Sequence, residues 1–268
     1  MQQNERVSKL MEIAGFETLS KVQQKVTPAI IKNQNLVVNS PTGTGKTHAY
    51  LFGIFAKLTN AKVTQAIIVA PTRELALQIS RFANQLAEGF DEISVKTFVG
   101  GEKRNSASTK AQLVIGTIGR LNDLYLNSHT LKLQTAKMIV LDEADMLVDH
   151  GFIESCDELL SHLSSDIQTL VFSATIPVGL QPFLKKYLNN SKNIQVFEDK
   201  VFNPKIDYKL INAKHLSVTD KAIQILKGFN PSQCLIFANS KSEVQALAHT
   251  MRQEGYYVVE LHKDLTSS

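Results

Sequence analysis

Two short segments carry the residue types that phosphate chemistry needs. Ser40-Pro41-Thr42-Gly43-Thr44-Gly45-Lys46-Thr47 is rich in glycine and ends in a lysine and a hydroxyl. Gly43 and Gly45 can take the backbone angles that turn successive N–H groups inward as an anion nest. Ser40, Thr42 and Thr44 complete the loop and count with it as nucleotide-binding candidates. A helix starting at Lys46 adds its positive dipole end. Lys46 would reach the β- and γ-phosphates, and the Thr47 hydroxyl would ligate Mg²⁺. The strict form of this pattern begins with glycine, and Ser40 stands there instead. The second segment, Asp142-Glu143-Ala144-Asp145, follows the apolar run Met138-Ile139-Val140-Leu141. Asp142 at that strand end is placed to hold Mg²⁺, directly or through water. Glu143 would face the other side of the strand end and orient or deprotonate an attacking water. A glycine turn alone could be incidental, and an acidic pair alone could be a favourable helix start. Together, in this order, they predict a nucleoside triphosphatase.

Such residues need a scaffold that brings them to one edge. Buried strands are expected at Leu36–Asn39, Gln65–Ala70, Ser94–Val99, Gln112–Ile115, Lys137–Leu141 and Thr169–Ser173. Helices are expected at Lys46–Lys57, Arg73–Ala87 and Phe152–Leu163. Strands alternating with helices predict an α/β fold with a parallel sheet covered on both faces. Ligands in such sheets bind at the carboxyl ends of strands. The glycine loop, Pro71, the acidic pair and Ser173 all follow expected strands, which argues for one shared site.

Composition sets bounds. The chain has 268 residues, 43% hydrophobic and 20% charged, the balance of a globular protein. A net charge of +4 permits a phosphate-rich partner without demanding one. Trp is absent and aromatics are sparse, so composition offers no obvious base-stacking platform. Cys156 and Cys234 have no spacing for a disulfide framework or zinc site and read as buried structural thiols. Neither a secretory leader nor a membrane span is visible, and a cytoplasmic location is expected. A first domain is expected over 1–197, a linker over 198–205 and a second α/β segment over 206–268. That segment should hold strands at Ile206–Ile211, Cys234–Ala238 and Tyr256–Leu261 and helices at Asp220–Leu226 and Glu243–Gln253.

The ordered set of motifs resembles the DEAD-box ATP-dependent RNA helicases. The four letters of the family name stand at Asp142-Glu143-Ala144-Asp145. Gly15-Phe16-Glu17-Thr18-Leu19-Ser20-Lys21-Val22-Gln23 is similar to the adenine-recognition segment, and Pro71-Thr72-Arg73-Glu74-Leu75-Ala76 is intact. Gly100-Gly101, Thr117-Ile118-Gly119-Arg120, Ser173-Ala174-Thr175 and Ile236-Phe237-Ala238-Asn239-Ser240 follow in order. The resemblance implies a RecA-like sheet followed by a partial second RecA-like domain. It implies ATP and Mg²⁺ as cofactors, and RNA held through its backbone as partner. Gln23 would read the N6/N7 edge of adenine with its amide, or be an ordinary exposed helix-start residue. Phe16 would pack near the base, or anchor the core. Pro71, Thr72, Arg73, Gly100, Gly101, Thr117, Gly119 and Arg120 would touch RNA phosphate and 2′-hydroxyl without reading bases. Thr72 also suits a helix N-cap, and Arg104 is a weaker addition to the line. Asp145, Ser173 and Thr175 would couple the phosphate site to domain closure.

Three departures matter. Ile118 replaces the family's proline, and residues 1–15 lack the aromatic usual upstream of the glutamine segment. The pattern also stops near Leu261-His262-Lys263-Asp264-Leu265, before the motifs that supply arginine fingers. Such fingers contribute about 10³–10⁵ to turnover, so little hydrolysis is expected from this polypeptide alone. The alternatives are an RNA helicase, a truncated module that holds ATP and RNA without unwinding, and a DNA-directed motor.

Overall fold

In this computed structural model, residues 3–101, 110–196, 206–212 and 217–262 are described. The expected linker 198–205 and Arg104 lie outside them. The chain divides into two compact units, Met1–Val201 and Phe202–Ser268.

The first unit opens with helices α1 (Gln3–Ile13) and α2 (Lys21–Ile31), then β1 (Leu36–Asn39) and α3 (Lys46–Lys57). There follow β2 (Ala66–Ala70), α4 (Arg73–Ala87), β3 (Val95–Phe98) and β4 (Leu113–Thr117). Helix α5 (Ile118–Asn122) runs on into a π-helical turn, Asp123–Asn127. Strand β5 (Met138–Leu141) leads to α6 (Ala144–Asp149) and α7 (Ile153–Ser161). Strand β6 (Gln168–Ser173), α8 (Gln181–Tyr187) and β7 (Lys192–Gln195) complete the unit.

Seven parallel strands form one sheet in the order β3-β4-β2-β5-β6-β1-β7. Strand periodicity sends alternate side chains to opposite faces. Leu36, Val38, Ile68, Val140 and Phe172 join one core with α1 to α4. Val37, Ile67, Val69, Ile139, Leu141 and Val171 join the other with α5 to α8. Both faces are therefore covered, and these strands read as apolar runs because each lacks a wet side. Every expected strand and helix of this unit forms, within a residue or two at the ends. Strand β7 was not expected. It is an edge strand with only Ile194 buried among its four residues, so it carries no apolar run.

The strand order fixes the geography of the carboxyl edge. Neighbours β5, β6 and β1 deliver the acidic motif, Ser173 and the glycine loop side by side. Neighbours β3, β4 and β2 deliver Gly100, Thr117 and Pro71. The residues expected to share one site thus fall into two neighbouring groups on one edge.

The second unit contains α9 (Val218–Phe229), capped by Ser217, and α10 (Lys241–Gln253), opened by a Ser240/Glu243 capping box. Its core is Ile223, Leu226 and Met251. The strands expected at 206–211, 234–238 and 256–261 are not laddered among the described residues. A strand exists through backbone pairing with a neighbour, and here Leu210, Leu235, Phe237 and Tyr257 stay exposed. Cys234 is exposed in the same way, contrary to the expected buried thiol. Cys156 is buried, and that burial, helped by Glu154, pushes its thiol up to about 12.

Candidate nucleotide site and nucleic-acid groove

The glycine loop takes the shape expected from its residue types. Gly43 and Gly45 have φ of +80° and +91°, in the left-handed region that side chains avoid. At Gly45 space is as limiting as the angle. A Cβ there would stand 2.7 Å from Gln23 Nε2. Ser40 and Thr44 close the loop with a 2.8 Å contact between their hydroxyls. Ser20 Oγ donates to Thr44 O at 2.9 Å and ties the glutamine segment to the loop. Helix α3 begins at Lys46 directly behind this turn, so its unpaired N–H groups face the loop.

Lys46 is 5% exposed. Its Nζ donates to Ser40 O at 3.0 Å and pairs with Glu143 Oε1 at 3.3 Å. Glu143 is held at φ +46°, ψ +56°, a left-handed backbone for a non-glycine residue. Such conformations cost of order 1–3 kcal/mol and persist where surroundings over-determine them. This turn lets β5 pass straight into α6 while both carboxylates stay at the strand end.

Asp142 is buried and accepts from the Tyr50 hydroxyl at 2.8 Å and from Glu143 N at 3.0 Å. Burial raises its carboxyl to about 6. The Tyr50 hydrogen bond pulls the other way, Glu143 adds to the rise and Lys46 opposes it. Tyr50 is wholly buried, and burial followed by the Asp142 charge pushes its phenol well above the usual range. It therefore stays a neutral donor. Tyr50 was not foreseen, although it lies three residues after Thr47 on one helix face, the spacing at which side chains meet.

Ser173 links the two motifs beside it. Its carbonyl accepts from Ser40 N at 3.1 Å, and its Oγ accepts from Asp145 N at 3.0 Å. Thr175 donates to Asp145 Oδ2 from its N at 3.0 Å and its Oγ1 at 2.9 Å. Burial pushes the Asp145 carboxyl up, but these bonds from Thr175, with others from Ser173 and Met146, outweigh it and hold it below the ordinary range.

Gln23 is not the exposed helix-start residue of the second reading. It is 2% exposed, not a surface residue. Its Oε1 accepts from Ser20 N at 2.8 Å, the reciprocal half of a capping box, and its Nε2 reaches Gly45 O at 3.4 Å. One donor and one acceptor site of the amide are thus used inside the protein. The Ser-x-x-Gln spacing that signals this box was legible. Phe16 is half-buried and packs edge-on against His48 at 4.9 Å and Phe52 at 6.0 Å between ring centroids.

The neighbouring strand ends build a groove of about 580 Å³. It is lined by Pro71, Thr72 and Arg73 after β2, Gly100 after β3, and Thr117, Ile118, Gly119, Arg120 and Asp123 at and after the end of β4. Thr72 caps α4, its Oγ1 accepting from Leu75 N at 3.2 Å. Gly101 has φ +84°, and a Cβ there would stand 2.8 Å from Arg73 Nη1, so the guanidinium lies against bare backbone. Arg120 pairs with Asp123 at 2.8 Å. His150 and Phe152 also line the groove and were not foreseen.

The geometry now stands beside known proteins. The model of the DEAD/DEAH box helicases matches residues 20–183. The DEAD-box ATP-dependent RNA helicase CshB of Staphylococcus aureus is 39% identical over 257 residues, 94% of this chain and 57% of that protein. CshB of Bacillus subtilis is 39% identical over 259 residues, 94% of this chain and 59% of that protein. The chain thus spans less than two thirds of these relatives. Among solved structures, a Dbp5 variant of S. cerevisiae bound to RNA and ADP BeF3 superposes with a TM-score of 0.85 at 27% identity, over 98% of this chain and 68% of that one. A DEAD box protein from the hyperthermophile Methanococcus jannaschii gives 0.67 at 29% identity, over 96% of this chain and 70% of that one. The sheet, the phosphate loop and the acidic strand end are those of the DEAD/DEAH box helicase family, to which this chain belongs.

Proposed function

We propose that the first unit binds ATP with Mg²⁺ at the β1, β5 and β6 ends and single-stranded RNA in the adjoining groove. It would serve an ATP-dependent RNA helicase that separates short duplexes locally. The observation that carries the reading is the Lys46–Glu143 pair lying between the glycine loop and Asp142. Phosphate oxygens compete with Glu143 for the Lys46 ammonium. A Glu143 carboxylate released from Lys46 is free to accept a proton from the attacking water. Gly43, Gly45 and the start of α3 hold the phosphates through backbone N–H groups.

A hydroxyl and a carboxylate suit a hard divalent ion, which usually takes one or two protein oxygens and completes its shell with phosphates and water. Thr47 and Asp142 are those donors. No larger cluster of metal-ligating side chains occurs among the described residues. When bound, Mg²⁺ would offset phosphate charge. In the groove, Arg73, Arg120, the Thr117 hydroxyl and the glycine N–H groups supply backbone contacts that carry no sequence information. Asp145, Ser173 and Thr175 form the bridge between the phosphate loop and the strand end next to it.

ATP hydrolysis with and without single-stranded RNA tests the reading, with Glu143→Gln alongside. The expected result is nucleotide binding in both proteins and RNA-stimulated hydrolysis only with Glu143. Equal hydrolysis by Glu143→Gln would remove that residue from the base role. Detectable binding without turnover in either protein would favour the module that clamps ATP and RNA. Stimulation by DNA equal to that by RNA would favour the DNA-directed motor.

A further inference from the structure

The groove contains more than backbone-gripping groups. His150 and Phe152 line it as well, with ring centroids 5.9 Å apart and planes inclined by 34°. Their position is set by the backbone. Helix α6 ends in a two-bond turn, Gly151 N to Val148 O at 2.9 Å and Phe152 N to Leu147 O at 2.8 Å. Gly151 takes φ +71° to make it. This is the Schellman arrangement, in which the residue after the glycine commonly folds its apolar side chain back onto the helix. Phe152 does so only in part, because 36% of it remains exposed. His150 is exposed as well. Phosphates have no use for aromatic faces, whereas an unpaired base stacks on one whatever its identity.

We infer that His150 and Phe152 form a stacking ledge for one unpaired nucleobase of the RNA strand that Arg73, Gly100, Thr117 and Arg120 grip by its backbone. The inference rests on the RNA-binding reading above. It locates a base contact in a chain whose aromatic content gave no hint of one. Stacking keeps recognition independent of sequence while separating base-bearing strands from bare backbone.

The test is equilibrium binding of two fluorescent oligoribonucleotides of equal length to the full chain, with Mg²⁺ and a non-hydrolysable ATP analogue. One strand is oligouridylate and the other has abasic riboses. Wild type should bind the uridylate more tightly by at least about fivefold, the low end of a base–aromatic stack. Phe152→Ala should erase that preference and leave abasic binding unchanged, and Phe152→Tyr should restore it. The backbone carbonyl of Phe152 that receives Cys156 N at 3.0 Å survives these changes, so α7 keeps its start. Thermal melts of the variants check this. Equal binding of both strands by wild type would overturn the ledge while leaving the groove reading intact. Equal weakening of both strands in Phe152→Ala would do the same. Failure of wild type to bind either strand would overturn the groove reading, and the ledge with it.

Discussion

Asp142 is the residue on which the proposed nucleotide site turns, and its partners make two expectations. Its carboxyl is raised to about 6 in the folded chain, from an ordinary 3.8. A raised folded value means the native state binds the proton more tightly. Stability therefore falls as pH rises from 3.8 to about 6, and the charged carboxylate stays a burden above that window. Asp142→Asn should unfold ~1–3 kcal/mol later than wild type in urea at pH 8. That advantage should shrink towards pH 4; an equal gap at both pH values would contradict the assigned burial. Tyr50→Phe removes the hydroxyl that fixes one Asp142 oxygen. Positioning partners of ligating side chains commonly matter by about 10-fold or more. The Mg²⁺ concentration needed for tight nucleotide binding should rise by roughly that factor, with metal-free binding unchanged. An unmoved magnesium titration would deny Tyr50 this role. Lys46, Thr47, Asp142 and Glu143 are candidates the sequence could offer, because motif spacing names them. Tyr50 was not, because its partner is 92 residues away and only folding brings them together.

At the scale of elements, the carboxyl edge of the sheet explains why motifs scattered along the chain share two sites. Short apolar runs gave away the central strands, since both of their faces are buried. Edge strand β7 escaped notice because one buried isoleucine makes no pattern. The junction of α2 with the glycine loop is close-packed, through Ser20, Gln23 and Gly45. Gly45→Ala strains a φ of +91° and drives a methyl into Gln23. Folding stability should drop by about 1–3 kcal/mol, and nucleotide affinity should fall with it. Thermal melting and nucleotide titration of the same variant check both. A variant that melts like wild type would show that the loop tolerates a different path.

At the scale of the whole molecule, the two proposed sites meet at the strand neighbours β2 and β5 of one sheet. The Ser40–Ser173–Asp145–Thr175 chain of hydrogen bonds runs along the nucleotide half of that edge. Under the proposed function, any coupling between nucleotide and RNA must be reciprocal in binding free energy. The double variant Ser173→Ala, Thr175→Ala should keep each ligand's separate affinity within about threefold and lose most of the mutual tightening. Titrating labelled RNA with and without a non-hydrolysable ATP analogue reads this, and unchanged tightening would clear these residues of a coupling role. The second unit shows where sequence patterning stops being sufficient. Apolar runs such as Cys234–Ala238 read as strands, yet a strand needs a backbone partner as well as a pattern. No helix among the described residues is long and apolar enough to cross a membrane. The most direct test of the central claim is equilibrium binding of a fluorescent ATP analogue with Mg²⁺ to wild type and Lys46→Ala. Saturable binding by wild type and at least about a 100-fold loss in the variant is the expected result, because the lysine is a point charge for the phosphates. Equal affinity of the two proteins, or no binding by wild type, would contradict the account.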